Sequence, residues 1–248
     1  MITIVSGYWD LGSSKFDIET YRKWMTNSLK INAPYVFFTQ KKNFSFIKSL
    51  RKSPIVFVEK EIKDFYFSKY NFNEEYLHEG HCPSVELGKI WLEKIKLVDE
   101  AVKLNPYETE WFAWIDSAVC TYRDIIPPIE KWPNNENLGK LKEDCLNYTL
   151  SNDANSKQDI NILKNGEYMH KVTGTWIIHK NAVKNLLDLF LEYFEIVKKE
   201  FENGNMKYGV LSDQVVWTRI MLDKPELFNE LGKGYGEILP ILYKLSKK

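Results

Sequence analysis

The strongest constraint on this chain is a series of short, almost wholly apolar runs that alternate with amphipathic segments. Ile2–Ser6, Pro34–Thr39, Ile55–Val58 and Trp111–Ile115 are each too short for a buried helix and are rich in β-branched and aromatic residues. Runs of this kind are strands covered on both faces. Between them, Ile18–Lys30 carries Tyr21, Trp24, Met25 and Leu29 at helical spacing, and Phe44–Leu50 reads as a short helix. Val85–Leu104 is a long helix with Leu87, Trp91, Ile95, Val98 and Val102 on one face. Pro83-Ser84 starts it, and Asn105-Pro106 stops it. Strands that alternate with helices predict an α/β fold with a mostly parallel central sheet flanked by helices.

The second half is less regular. Lys60–Ser84 lacks periodicity, holds many aromatics and is expected to form an insertion or lid-like segment. Trp132–Gln158 is polar and asparagine-rich, and predicts a loop with one short helix. A strand over His170–His179 is interrupted by Gly174, and helices follow over Asn181–Asn203 and from Ser212 towards Leu222. Gly232–Gly236 reads as a loop, followed by an apolar segment over Ile238–Leu245. With no internal repeat and no convincing linker, residues 1–248 are expected to form a single domain.

Composition narrows the function classes. Equal totals of 34 basic and 34 acidic residues argue against a nucleic-acid or polybasic membrane surface. Three cysteines without CxxC spacing suggest neither a disulfide framework nor a cysteine zinc site. No apolar run is long enough for a transmembrane helix, and the opening residues read as a strand without leader features. A cytoplasmic location is the expectation. Neither a GxxxxGK[ST] loop nor a GxGxxG fingerprint occurs, which counts against an α/β phosphotransferase or a dinucleotide enzyme.

The Trp111–Ile115 strand ends abruptly on Asp116-Ser117-Ala118. An unpaired carboxylate is costly inside a strand, so Asp116 belongs at the carboxyl end, where open α/β sheets bind ligands. It also suits a strand-end residue that caps local amides. Its oxygens are hard ligands of the kind Mg²⁺ or Mn²⁺ takes alongside substrate phosphates. Lys94 lies three residues after Trp91 on the long helix and faces either a bound phosphate or solvent. Asp213-Gln214 stands at a helix start, where an Asp can cap the helix, serve as a base, or do both. Gly174 in Thr173-Gly174-Thr175-Trp176 marks either a close backbone approach to ligand or a packing contact. His78, His81 and Cys82 match no zinc spacing, and His170 and His179 flank the glycine-interrupted strand.

Taken in order, Ser6-Gly7-Tyr8-Trp9-Asp10-Leu11-Gly12, Leu87–Lys94, Trp114–Ala118, Ser212-Asp213-Gln214 and Gly234-Tyr235-Gly236 resemble the HtrL/YibB-like family of GT-A glycosyltransferases. The resemblance spans most of the chain and implies a Rossmann-like GT-A domain that takes a nucleotide-diphosphate sugar. A UDP-sugar is the first donor to expect, with a glycan or other hydroxyl acceptor. It implies a donor site of Ser6, Gly7, Tyr8, Lys94, Asp116, Ser117, Ala118, Gly174, Thr175, Gly234 and Tyr235. Trp176 and Gln214 would lie on the acceptor side, and Asp213 would be the catalytic base.

The DxD-like motif is reduced here to Asp-Ser-Ala, which leaves Asp116 as the implied ligand of Mn²⁺ or Mg²⁺. Where related sequences carry a basic residue after the Asp10-Leu11-Gly12 equivalent, this chain has Ser13-Ser14 and then Lys15. A base fits inversion without excluding retention, so stereochemistry stays open. The reduced motif also keeps in view a catalytically inactive module that binds a nucleotide sugar or glycan.

Overall fold

The computed structural model describes residues 1–11, 15–77, 81–151, 171–206 and 209–243. Seven strands form one mixed sheet: β1 (Ile2–Tyr8), β2 (Tyr35–Thr39), β3 (Ile55–Glu59), β4 (Trp111–Trp114), β5 (Leu146–Leu150), β6 (Val172–His179) and β7 (Phe228–Lys233). Their order across the sheet is β3-β2-β1-β4-β6-β5-β7. β6 runs antiparallel to both its neighbours, while every other pairing is parallel. The expected mostly parallel α/β sheet is therefore present.

Alternation along the strands divides the core. Ile2, Ile4, Tyr35, Phe37, Ala113, Ile115 and Ile177 point to one face; Val5, Val36, Phe38, Phe112, Trp114, Trp176 and Ile178 point to the other. The first face is covered by α1 (Ile18–Ser28), α2 (Phe44–Ser49) and, near the C-terminus, α6 (Ile238–Tyr243), through Met25, Ile47 and Leu242 among others. The second is covered by α3 (Val85–Leu104), α4 (Lys180–Glu202) and α5 (Asp213–Asp223). Local chemistry sets the helix ends. Asp17 accepts the Thr20 N–H at 2.8 Å, Ser84 accepts the Leu87 N–H at 3.3 Å, and Asn105 closes α3 in a left-handed conformation.

This winding creates one ligand-ready crevice. From β1 the chain steps through β2 to β3 at the sheet edge, then α3 returns it across the opposite face to β4 on the other side of β1. The carboxyl ends of β1 and β4 therefore diverge at a topological switch point, where open sheets bind ligands.

The structure overturns three sequence expectations. Within the supposed loop of 132–158, Leu146–Leu150 is a fully buried strand. Its Asn147 escapes an unpaired amide by donating to Lys142 O at 3.0 Å and Ile177 O at 3.2 Å. Phe228–Lys233 is the edge strand β7, so the loop expected from Gly232 begins two residues later. The segment after Lys60 is no lid: short turns at Ile62–Asp64, Tyr66–Lys69 and Glu74–Tyr76 bring Phe65, Phe67 and Phe72 into the core. There Phe67 packs edge-on to Phe194 of α4 at 4.9 Å. Residues 152–158, His170 and the end of the Ile238–Leu245 segment lie outside the described residues. Among the described residues, no helix is long and apolar enough to cross a membrane.

Candidate functional site

A cavity of about 500 Å³ opens at the switch point, lined from β1 by Gly7 and Tyr8 and from the end of β4 by Asp116, Ser117 and Ala118. Lys94, Gly174, Thr175, Asp213, Gln214 and Tyr235 complete the part anticipated from sequence. Three elements on the α3–α5 face converge on its floor.

Lys94 projects from α3 and is nearly sealed, with its side chain 4% exposed. Its Nζ lies 3.4 Å from Asp116 Oδ1, 3.4 Å from Asp213 Oδ2 and 3.3 Å from the Gly174 carbonyl, to which it donates. A solvent-facing lysine is thus excluded, and Gly174 has a reason to lack a side chain. A Cβ there would stand 3.0 Å from the ammonium and force it aside. Burial works to lower the Lys94 pKa, but Asp116 and Asp213 outweigh it, and the net direction is upward. Lys94 is a fixed cation.

The two acids differ in environment. The Asp116 side chain is 49% exposed to the cleft and accepts the Trp114 indole N–H on Oδ1 at 2.8 Å, a contact unlike the backbone cap considered above. Asp213 is the first residue of α5 and only 3% exposed at its side chain. Burial pushes its carboxyl up to about 6; Lys94 opposes that rise and Asp116 adds to it. Its Oδ2 is ion-paired to Lys94 yet makes no hydrogen bond, a buried oxygen with acceptor capacity to spare. Beside it, Gln214 donates to Val172 O at 2.8 Å. That bond fixes the start of α5 against β6.

Three anticipated residues do not reach the cleft. Ser6 is fully buried and donates to Ile115 O at 2.7 Å, which ties β1 to the end of β4 instead of facing a nucleotide. Trp176 points to the opposite side of β6 from its neighbours and packs on Trp217 at 5.9 Å, so it is core and not acceptor-side. Gly234 does not line the cavity; its N–H and C=O bond Leu150 and Thr149 in the adjoining strand. His179 caps α4 through the Asn181 N–H, and His78 and His170 lie outside the described residues.

Other lining residues were not assigned from sequence: Trp91, Phe16, Arg123 and Cys120. The Arg123 guanidinium stacks 4.0 Å over Trp24 of α1, and Lys15 Nζ lies 5.2 Å over Trp91 and donates to His81 Nδ1 at 3.2 Å. Trp91, in register with Lys94 on α3, was the one legible signal among them.

With this geometry in place, comparison with known proteins gives a family. The family model described as "Bacterial protein of unknown function (HtrL_YibB)" matches residues 54–239. The chain belongs to the HtrL_YibB family. No curated protein matches it. Among solved structures, mouse xyloside xylosyltransferase 1 in its apo form is similar at a TM-score of 0.52 and 13% identity, over 92% of this chain and 84% of that one. A 4-diphosphocytidyl-2C-methyl-D-erythritol synthase from Anaerococcus prevotii DSM 20548 aligns at a TM-score of 0.37 and 11% identity, over 93% and 86% of the two chains. The HtrL_YibB chain thus has a GT-A-like α/β fold.

The donor set of this HtrL_YibB member tests the divalent ion that the sequence resemblance implies. Asp116 offers one carboxylate, whose Oδ1 already takes an indole N–H and faces an ammonium. The next acid, Asp213, is sealed against the same ammonium. Among the described residues no three His, Cys, Asp or Glu side chains come together as a metal site. Hard divalent cations favour several oxygens, and a neighbouring Lys⁺ repels them. Among the described residues, the donor set does not fit an ion held by the protein.

Proposed function

We propose that this chain is a glycosyltransferase that moves a sugar from a nucleotide-diphosphate donor to a hydroxyl of a glycan or other acceptor. The observation that carries this reading is the buried Lys94 bridging an exposed Asp116 and a sealed Asp213 at the switch-point cleft. The similarity to a xylosyltransferase supports the fold that such chemistry uses.

In this reading the nucleotide lies along Gly7 and Tyr8, and the diphosphate lies above Asp116, Ser117 and Ala118. Lys94 contributes a positive field to the leaving group and keeps both acids in place. The acceptor hydroxyl is placed against the Asp213 carboxylate, which lines the cavity beside Lys94. As the new C–O bond forms at the anomeric carbon, the bond to the diphosphate oxygen breaks. That oxygen keeps the electron pair, and the hydroxyl proton passes to Asp213. No step runs through a metal ion. Three unpaired cysteines suit a reducing compartment.

The test is donor turnover. The purified chain, offered UDP-, GDP-, CDP- and dTDP-sugars without acceptor, is expected to release nucleoside diphosphate slowly from one of them. Asp213→Asn should suppress that release while donor binding persists. Donor binding without release, unchanged in Asp213→Asn, would instead establish a non-catalytic nucleotide-sugar module. No binding of any donor would remove the proposal altogether.

A further inference from the structure

We propose that Lys15 and Arg123 form a two-cation clamp for the donor diphosphate, so that donor binding needs no divalent ion. This rests on the nucleotide-sugar reading above and names how the same cleft neutralises its ligand.

Lys15 and Arg123 reach the cavity from the two loops that a ligand at the switch point must touch. Lys15 follows β1; Arg123 follows β4 through the turn at Cys120–Tyr122. The acids of the cleft are already paired elsewhere: Asp10 with Lys42 at 3.0 Å, and Asp116 and Asp213 with Lys94 at 3.4 Å. Among the described residues no carboxylate pairs with Lys15 or Arg123. Their contacts include rings, a ring nitrogen and a carbonyl: Trp91 and His81 for Lys15, Trp24, Phe16 and the Ala118 carbonyl for Arg123.

That arrangement leaves both charges unspent. Stacking fixes the guanidinium plane and does not use up its outward N–H groups, which suit phosphate oxygens. The two cations also oppose one another: burial pulls the Lys15 pKa below its usual value, Cys82 works against that fall, and Arg123 adds a smaller push in the same direction as burial. An anion between them would relieve the repulsion. A diphosphate carries enough charge to engage both, and its charge grows as the glycosidic bond breaks. The poor ion site at Asp116 and the unspent cations at the rim thus have one explanation: side chains fill the place of the metal.

Isothermal titration calorimetry with UDP, GDP, CDP, ADP and inorganic pyrophosphate, each in EDTA and in Mn²⁺, tests this directly. We expect at least one nucleoside diphosphate to bind in EDTA about as tightly as in Mn²⁺. Lys15→Ala and Arg123→Gln should each weaken it ~10-fold, the loss of one charge-assisted contact. Because Arg123 also packs on Trp24, Arg123→Lys and the melting temperature of each variant separate a lost contact from a lost fold. The salt sensitivity of wild-type binding in EDTA gives a readout independent of any variant. Binding that requires Mn²⁺, vanishes in Asp116→Asn and is indifferent to Lys15→Ala and Arg123→Gln would overturn the clamp and leave the transferase reading intact. No binding in either condition would overturn both.

Discussion

Burial at the first turn of α5 makes Asp213 a weaker acid than an exposed aspartate, and this has a kinetic consequence. In the proposed transfer Asp213 is the base, and a base must be ionised to accept a proton, so transfer should rise with pH up to about 6 and level off above it. Below that midpoint the rate should fall ~10-fold per pH unit. Asp213→Asn should lower turnover by ~10²–10⁴ and abolish the acid limb. A limb that survives in the variant would assign the titration to another group.

At this same scale the sequence was informative where chemistry conflicts with burial. An acid at the end of an apolar strand and an acid opening a helix mark Asp116 and Asp213, because each needs a partner or a ligand. It misled where adjacency stood in for direction. Trp176 follows Thr175, yet alternation turns it to the far side of β6, and Ser6 is spent on holding β1 to β4. Arg123 lies in a loop whose course no periodicity fixes, and Lys15 was legible only through the family resemblance. With only four arginines among 34 basic residues, no single lysine stands out by type.

Among the elements, α3 is the one that organises both site and core. Its residue 94 faces the cleft, while the preceding Glu93 turns the other way and accepts the N–H groups of Tyr66 and Phe67 at 3.0 and 3.2 Å. Those bonds hold the 60–77 segment to the domain, and no pattern in the segment itself announces them. β5 and β7 were hidden for a related reason. β5 carries asparagine in a buried strand, and β7 is an edge strand with glycine inside it; only tertiary partners make them strands. The long helices and the first strands were legible because their periodicity runs through whole elements.

Glu93 also makes stability depend on pH. Burial pushes its carboxyl up to about 7 from 4.5, against the pull of the two N–H groups. Its contribution is therefore fully present below about pH 4.5 and is lost as pH rises through 7, by roughly 3 kcal/mol. Glu93→Gln keeps one acceptor and cannot ionise. Its stability deficit against wild type should shrink from pH 5 to pH 8 in urea titrations. A deficit constant across that range would show that Glu93 does not titrate on folding.

For the whole molecule, the decisive feature is that both halves of the core share one sheet. Ile4 and Val5 are adjacent in β1 and belong to opposite faces, so neither core can lose its strands without exposing the other. The cleft lies above this shared sheet, and its walls come from both layers: Tyr21 from the α1 side, Lys94 from α3 and Asp213 from α5. Such an arrangement is expected to unfold as one unit, in keeping with a single domain. Calorimetry should therefore show one transition, with calorimetric and van't Hoff enthalpies equal. The heat-capacity change for 248 residues should be about 3–3.7 kcal/mol/K. A nucleotide bound at 100 times its Kd should move that single transition intact, adding about 2.7 kcal/mol. Two resolved peaks, with only one of them shifted by nucleotide, would show that the chain comprises two units and that the cleft belongs to one.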